Sequence, residues 1–312
     1  MVSSTHNAFM LDTEQLDKVF KKEKFHGCLI SKENEEIYQF FKNKKSEKKQ
    51  HKINSCTKSI TSALIGIAYD KGYIPDLNTP ISTYFPTLLN DQDNKKRSIT
   101  VDHLLTMTAG FDWPEMGEWR GWPGMIHSPN WVNFTLQRPL VSEPGEKMNY
   151  NSGCSHLLLA ILQKQTGATA REFAQRYLFT RLDFADFLWH EDPQGINIGG
   201  FGIHLSIRDL HMFGMLYLNR GRWNKKQLIS EEWIDRTTEP ENLTYPHFGH
   251  YGHHWWTSKT LTDEPFYFAM GMGGQYTCIL PTRQMVVTMV NDTYADSGKP
   301  LHILRDVILN GG

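Results

Sequence analysis

Apolar residues with helical spacing fill the stretch at residues 59–69, which contains no charged side chain. The apolar positions are Ile60, Ala63, Leu64, Ile67 and Ala68. A helix that is apolar around most of its circumference is typical of a protein interior. The pattern therefore predicts a buried helix that ends near Gly72.

Patterns typical of strands lie near both ends of the chain. Two of them, at residues 27–31 and 36–41, are joined by a polar turn. Four more follow residue 245, spaced like an antiparallel meander, at residues 252–257, 267–270, 276–280 and 285–290. Helical patterns with capping residues such as Thr100 and Ser206 lie between the two groups. We therefore predict an α+β fold, with an antiparallel sheet built from both termini and flanked by helices, and a mostly helical lobe inserted.

The length of the chain sets its domain organisation. It has 312 residues, with neither an internal repeat nor a low-complexity linker. This length is enough for one large core shared by two lobes, so we expect a single domain over residues 1–312. The α/β lobe is predicted to take about residues 1–72 and 205–312, and the mostly helical lobe about residues 73–204.

The segment at residues 111–138 is predicted to be irregular, because it is very rich in Trp, Pro and Gly. Its tryptophans are Trp113, Trp119, Trp122 and Trp131. A long loop with so many aromatic residues either covers a pocket as a lid or packs onto the body of the protein. The sequence leaves both interpretations open.

Composition and charge narrow the range of partners. The chain is 39% hydrophobic and 21% charged, with a formal net charge of -1, so we expect neither nucleic acid nor a membrane as a partner. The four cysteines are widely spaced, which predicts free thiols in a reducing compartment. No stretch approaches the length of a transmembrane helix, and no secretion signal is recognisable at the start. We therefore expect a cytoplasmic protein, of an oligomeric state that the sequence leaves open.

The tetrapeptide Ser55-Cys56-Thr57-Lys58 directly precedes the apolar helix. A serine and a lysine three residues apart lie on one face of a helix, and the helix N-terminus favours negative charge on the serine oxygen. A poorly solvated lysine loses part of its preference for the charged form, so it can take the serine proton. We predict that Ser55 is a nucleophile and Lys58 its base. The alternatives are a plain helix-capping role for Ser55 and, less favoured, Cys56 as the nucleophile.

A second Ser-x-x-Lys, Ser46-Glu47-Lys48-Lys49, shows that the bare motif is weak. Charged residues flank Ser46 on both sides, whereas Ser55 is followed by an apolar helix. We interpret the tetrapeptide at Ser46 as a solvated basic turn between two strands, without chemistry.

Histidines offer two further candidates. His247, His250, His253 and His254 lie within eight positions, but no carboxylate or cysteine accompanies them, so we expect surface and loop histidines and no metal site. His204 is a candidate hydrogen-bond donor facing the active site. The chain has no Gly-x-Ser-x-Gly, His-Glu-x-x-His or phosphate-binding glycine loop, and we expect no cofactor.

Several motifs together resemble the serine β-lactamase and penicillin-recognising superfamily over nearly the whole chain. The class C-like branch, with its esterases, D-aminopeptidases and amide-oligomer hydrolases, is the most similar part of that superfamily. The motifs are Ser55-x-x-Lys58, residues 100–110, residues 143–150, Tyr150-Asn151-Ser152, and Gly271-Met272-Gly273-Gly274-Gln275 at the Lys-Thr-Gly or His-x-Gly strand.

The resemblance implies a role for each matching residue. Ser55 would attack a carbonyl group and become acylated, while Lys58 and Tyr150 would move the proton. A tyrosine flanked by a cation is expected to be acidified, so that it acts as base and then as acid. The backbone N–H groups of Ser55 and Gln275 would form the oxyanion hole. Ser152 would hydrogen-bond Lys58 or the substrate, unless it merely caps a helix.

The remaining candidate substrate-binding residues are Gly274, Met272 and Trp113. Met272 stands where the family commonly carries a basic or histidine side chain, and this removes a partner for a substrate carboxylate. We therefore expect a serine hydrolase that cleaves a neutral carboxylic ester or small amide. A β-lactamase or D-Ala-directed peptidase is the second hypothesis, and a penicillin-recognising sensor that does not turn over is the third.

Overall fold

An eight-stranded, fully antiparallel sheet dominates the computed structural model, which describes residues 11–116, 121–184, 186–245, 248–260, 262–292, 294, 296 and 298–309. The strands of the protein are β1 (Gly27–Lys32), β2 (Glu35–Phe41), β3 (His51–Lys52), β4 (Leu188–Trp189), β5 (Ile203–Leu205), β6 (Arg222–Trp223), β7 (Lys226–Gln227), β8 (Asn242–Leu243), β9 (His250–Tyr251), β10 (Trp256–Lys259), β11 (Pro265–Gly271), β12 (Gln275–Leu280) and β13 (Met285–Val290).

The order of strands in the large sheet is β2-β1-β13-β12-β11-β10-β9-β8. N-terminal and C-terminal segments meet where β1 pairs with β13, in a register that places Gly27 opposite Val290. The predicted antiparallel sheet built from both ends of the chain is thus confirmed. A second, three-stranded sheet has the order β3-β5-β4, and β6 pairs with β7 alone.

Helices flank the sheet and fill the middle of the chain. They are α1 (Thr13–Lys22), α2 (Lys44–Lys48), α3 (Cys56–Asp70), α4 (Val101–Leu105), α5 (Gly121–Ile126), α6 (Trp131–Leu136), α7 (Ser152–Thr166), α8 (Ala170–Ala174), α9 (Ile207–Leu218), α10 (Glu231–Thr238) and α11 (Lys299–Ile303). Within the described ranges, no helix is both long and apolar enough to cross a lipid bilayer.

Helix α3 is buried along almost its whole length, as its apolar pattern predicts. It packs against α7 and against strand β11 of the large sheet. The hydroxyls on its inner surface find carbonyl partners: Ser59 donates to His254 O at 2.8 Å and Thr61 donates to Gly199 O at 2.9 Å. These bonds offset the cost of burying polar groups and fix the helix that carries the Ser-x-x-Lys motif.

Two predicted elements differ from the structure. The predicted strand at residues 252–257 is mostly a tight turn with His254 at a φ of +64°, and only its last two residues belong to β10. The predicted basic turn around Ser46 is the short helix α2, capped by the side chain of Asn43. Both differences arise from local backbone conformations that residue type alone does not specify.

Candidate active site

Ser55 lies between strand β3 and helix α3, where the chain turns from the small sheet into the buried helix. Its backbone is already helical, with φ at −69° and ψ at −6°, and its side chain makes no capping hydrogen bond. The interpretation of Ser55 as a plain capping residue is therefore wrong. The Oγ atom instead accepts a hydrogen bond from Lys58 Nζ at 3.1 Å.

Cys56 is not placed as a nucleophile. Its thiol is buried and donates to the carbonyl oxygen of Gln275 at 3.4 Å. Burial raises the pKa of the Cys56 thiol, so the reactive thiolate is disfavoured. All four cysteines of the chain are free and buried.

Lys58 is buried to 1% exposure and donates three hydrogen bonds. Its acceptors are Ser55 Oγ at 3.1 Å, Ser152 Oγ at 2.9 Å and Gly200 O at 3.0 Å. Burial lowers the pKa of Lys58 to about 8, against the opposing negative charge of Glu115. A lysine in this state has a neutral fraction near neutral pH and lies within reach of the serine proton.

Tyr150 stands on the other side of Ser55 and is hydrogen-bonded to it. Lys58 Nζ lies 4.6 Å from the centroid of its ring, which also stacks on Trp256. The expected acidification is wrong: burial, together with the negative charge of Glu115, raises the pKa of Tyr150 well above its usual value. Tyr150 is thus a neutral phenol that can donate and relay a proton.

Ser152 connects Lys58 to a carboxylate that the sequence did not single out. The helix cap at this position is Asn151, which accepts from Cys154 N at 3.1 Å, so the capping interpretation of Ser152 is wrong. Ser152 Oγ accepts from Lys58 and donates to Glu115 Oε1 at 2.6 Å.

Glu115 is buried and receives three hydrogen bonds. The donors are Ser152 Oγ, Ser152 N at 2.8 Å and Trp113 Nε1 at 2.7 Å. Trp113, a predicted substrate-binding residue, is fully buried and does not line the cavity beside Ser55, so it positions Glu115 rather than substrate. The signal available in the sequence was the Trp-Pro-Glu at residues 113–115, whose carboxylate lies in an otherwise aromatic segment.

The predicted oxyanion strand lies next to the turn that carries Ser55. Asn54 Nδ2 donates to Met272 O at 2.6 Å, which ties the strand connection to that turn. The carbonyl oxygen of Gln275 accepts a hydrogen bond from the Cys56 thiol, and the side-chain amide of Gln275 donates to Asn291 O. Met272 lines the cavity, whereas Gln275 and Gly274 are not among the lining residues. The side chain of Gln275 is therefore structural, and only its backbone N–H remains a candidate for the oxyanion hole.

A cavity of about 330 Å³ opens beside Ser55. Its walls are mostly apolar, and its lining residues are Lys52, Asn54, Ser55, Glu115, Met116, Trp122, Ile126, Tyr150, Ser152, Phe201, Phe248, Met270 and Met272. A concave, largely apolar site with a few converging polar groups is typical of small-molecule binding.

The tryptophan-rich segment is less irregular than predicted, because it contains the short helices α5 and α6. Trp113 and Trp131 pack inside a small apolar cluster, as one of the two interpretations predicts, and Trp122 lines the cavity. Trp119 lies outside the described residues.

The histidine predictions require correction. His253 and His254 are buried rather than exposed: His253 Nε2 lies 2.9 Å from Asp102 Oδ1, and His254 Nε2 lies 2.9 Å from Ser155 Oγ. His204 pairs through its backbone with Lys52 and does not line the cavity. His247 lies outside the described residues. Among the residues that are described, no cluster of His, Cys, Asp or Glu side chains could hold a metal ion.

The fold, with Ser55, Lys58 and Tyr150 in mutual contact at one turn, is that of the serine β-lactamase and penicillin-binding-protein superfamily. Residues 32–308 match the family model described as Beta-lactamase, and the chain belongs to that family. It is similar to the 6-aminohexanoate-dimer hydrolase of Paenarthrobacter ureafaciens, with 21% identity over 301 residues that span 90% of this chain and 76% of the relative.

Two solved structures show the same fold. One is a D-stereospecific amidohydrolase from a Streptomyces species, with a TM-score of 0.72 and 16% identity, covering 93% of this chain and 97% of that one. The other is EstCE1, described as a hydrolase with promiscuous acyltransferase activity, with a TM-score of 0.76 and 15% identity, covering 95% of this chain and 97% of that one. These relatives support hydrolase activity for the family to which this chain belongs.

Proposed function

We propose that the protein is a serine hydrolase that forms an acyl-enzyme on Ser55 and cleaves carboxylic esters or small amides. The observation that carries the proposal is the 3.1 Å contact between Ser55 Oγ and the amine of Lys58, whose pKa burial lowers to about 8. With that pKa, about a tenth of Lys58 is neutral at pH 7 and able to accept the serine proton.

Acylation follows from this geometry. Ser55 Oγ attacks the carbonyl carbon of the substrate while its proton moves to the neutral amine of Lys58. The carbonyl oxygen becomes an oxyanion, for which we assign the backbone N–H groups of Ser55 and Gln275 as donors. Collapse of the intermediate breaks the bond to the leaving group, which takes a proton from the Lys58 ammonium through the hydroxyl of Tyr150.

Deacylation reverses these proton movements with water as the nucleophile. Water attacks the acyl-enzyme carbonyl, gives its proton to the Tyr150–Lys58 pair, and releases the carboxylic acid as Ser55 regains its proton. Because the pKa of Tyr150 is raised, its phenol stays protonated and passes protons on, while Lys58 acts as the base.

The substrate class is supported by the cavity and by the relatives. Apolar side chains such as Trp122, Phe201 and Met270 form most of the wall and suit an apolar acyl or leaving group. The related proteins named above as an amide-dimer hydrolase and an amidohydrolase support an ester or amide carbonyl as the reacting group.

Steady-state hydrolysis of para-nitrophenyl butanoate by the wild type and by Ser55→Ala tests the proposal. We expect turnover that disappears in the variant, together with an acyl adduct on the wild type in intact-protein mass spectra after rapid acid quenching. Equal turnover in both proteins, or neither turnover nor adduct, would refute the serine hydrolase. A stable adduct without turnover would instead identify a non-turnover sensor.

A further inference from the structure

Among the described residues that line the cavity, Lys52 alone carries an ammonium group, and it lies three positions before Ser55. Strand β3 holds its backbone by pairing Lys52 with His204 on β5. The neighbouring His51 is buried at 2% exposure, whereas Lys52 is exposed, as expected for alternate residues of a strand. The fold therefore presents this lysine at the cavity from a fixed strand.

The other polar groups that line the cavity already have partners. Tyr150 is bonded to Ser55, and Asn54 donates to Met272 O at 2.6 Å. Ser152 Oγ lies between Lys58 and Glu115, and Glu115 accepts hydrogen bonds from Ser152 and Trp113. Across the part of the chain that the structure describes, the Lys52 side chain has no hydrogen bond and no ion pair.

The neighbours of Lys52 across the paired strand are basic, whereas the cavity-lining carboxylate of Glu115 is buried and accepts hydrogen bonds from Trp113 and Ser152. His204, its partner across the strand pair, lies with its ring 5.2 Å from that of His190. Burial lowers the pKa of His204, and the positive charges of His190 and Lys52 lower it further. An ammonium group with basic neighbours and an apolar wall beside it favours an anionic ligand group.

We propose that Lys52 binds a carboxylate of the substrate, so that the preferred ester or amide carries a free carboxylate in addition to the bond that is cleaved. This inference rests on the proposed function of the same site. It replaces the expectation of a neutral substrate, which relied on Met272 at the position where the family commonly has a basic side chain. The cation comes instead from strand β3, on the segment that leads to the nucleophile.

Two matched pairs of esters test the inference on either side of the scissile bond. The first pair is mono-para-nitrophenyl octanedioate and para-nitrophenyl octanoate, which differ by a carboxylate on the acyl side. The second pair is para-(butanoyloxy)benzoate and its methyl ester, which differ by a carboxylate on the leaving group. The proteins compared are the wild type, Lys52→Gln, Lys52→Arg and Lys18→Gln, the last of which makes the same charge change on the exposed surface of α1.

We expect Lys52→Gln to lower kcat/KM about tenfold for the carboxylate member of one pair and less than about twofold for its neutral partner. Lys52→Arg should retain most of the preference, and Lys18→Gln should leave all rates unchanged. Added salt should reduce the preference in the wild type, because Lys52 is exposed. Equal losses for both members of each pair, or no loss in either pair, would overturn the inference.

A binding measurement separates this inference from the proposed function. In the Ser55→Ala background, calorimetry with octanedioic acid monoamide and with octanediamide reports recognition without turnover. Tighter binding of the acid than of the diamide, abolished by Lys52→Gln, supports a carboxylate site even if no ester is hydrolysed. Equal binding of the two compounds, beside normal ester hydrolysis by the wild type, leaves the serine hydrolase intact and rejects the role of Lys52.

Discussion

Two Ser-x-x-Lys tetrapeptides lie close together in the chain, and the structure gives their lysines opposite environments. Lys58 is buried and donates to Ser55, Ser152 and the carbonyl of Gly200. Lys49 is half-exposed and faces Asp292 at 3.6 Å, while Ser46 Oγ donates to Asn43 at 3.2 Å. The two serines thus have the same sequence spacing from a lysine but different hydrogen-bond partners.

This difference between the two lysines indicates that burial is what would allow Lys58 to act as the proposed base. Desolvation lowers the pKa of Lys58 to about 8, because an ammonium without water loses stability relative to a neutral amine. Lys49, by contrast, is half-exposed to solvent and lies near the carboxylate of Asp292. The motif sets the spacing between the serine and the lysine, and the buried helix that carries Lys58 removes its ammonium group from water.

Replacing each serine by alanine should show the largest difference in activity between the two motifs. We expect Ser55→Ala to lower kcat/KM for para-nitrophenyl butanoate by about 10⁴-fold or more, as loss of a catalytic serine does elsewhere. Ser46→Ala should leave kcat/KM within about twofold, since it removes only a local hydrogen bond to Asn43. A large loss in Ser46→Ala with unchanged folding would show that the two motifs are not functionally distinct.

Replacing each lysine by methionine comes next. Lys58→Met should lower kcat/KM by about 10³-fold through loss of the general base, whereas Lys49→Met should have less than about a twofold effect. Circular dichroism of each variant shows whether a loss of activity comes from unfolding.

The pH dependence of the free energy of unfolding gives a second test of the lowered pKa of Lys58. Because burial lowers the pKa of Lys58 from 10.5 to about 8, the unfolded state binds more protons than the folded state between those values. The wild type should therefore gain stability relative to Lys58→Met as the pH rises from about 8 toward 10.5, as followed by urea unfolding. A constant difference across this range would contradict the lowered pKa of Lys58.

Tyr150→Phe sharpens the comparison, because Ser55 is bonded to a tyrosine, whereas Ser46 is bonded to none among the described residues. We expect kcat to fall about 10²-fold, since proton relay to the leaving group is lost while the apolar ring is kept. Tyr267→Phe is the matched control: it is a buried tyrosine whose hydroxyl donates to Tyr217 O at 3.2 Å. Equal small effects of both variants would remove Tyr150 from the proton path.

Local sequence signals predicted much of the fold and the closeness of Ser55 to Lys58. Caps at Thr100 and Ser206 mark the starts of α4 and α9, and short strand-like runs near both ends of the chain mark β1, β2, β11, β12 and β13. These signals work because each arises from neighbours within a few residues. Ser55 and Lys58 belong to the same class of short-range pattern.

Long-range partners were beyond such reasoning. Glu115 meets Ser152 across 37 positions, and Asp102 meets His253 across 151, so no spacing rule connects them. No sequence motif included Lys52, because its place beside the cavity depends on the pairing of β3 with β5. Buried polar groups must find partners, but the sequence does not say which ones.

Glu115→Gln is the smallest and most specific test of what separates the two motifs. The negative charge of Glu115 raises the pKa of Lys58 against the effect of burial, so its removal should lower that pKa further. Because the neutral amine is the active form, the rise of kcat/KM with pH, centred at about 8 in the wild type, should move to lower pH. The value of kcat/KM at high pH should fall about tenfold, because the amide disturbs the hydrogen bonds from Ser152 and Trp113 that keep Lys58 in position. Glu232→Gln, an equal charge change on the exposed side of α10, should leave the profile in place. An unchanged midpoint, or a move to higher pH, would mean that Glu115 does not act on the base, and that burial alone distinguishes Lys58 from Lys49.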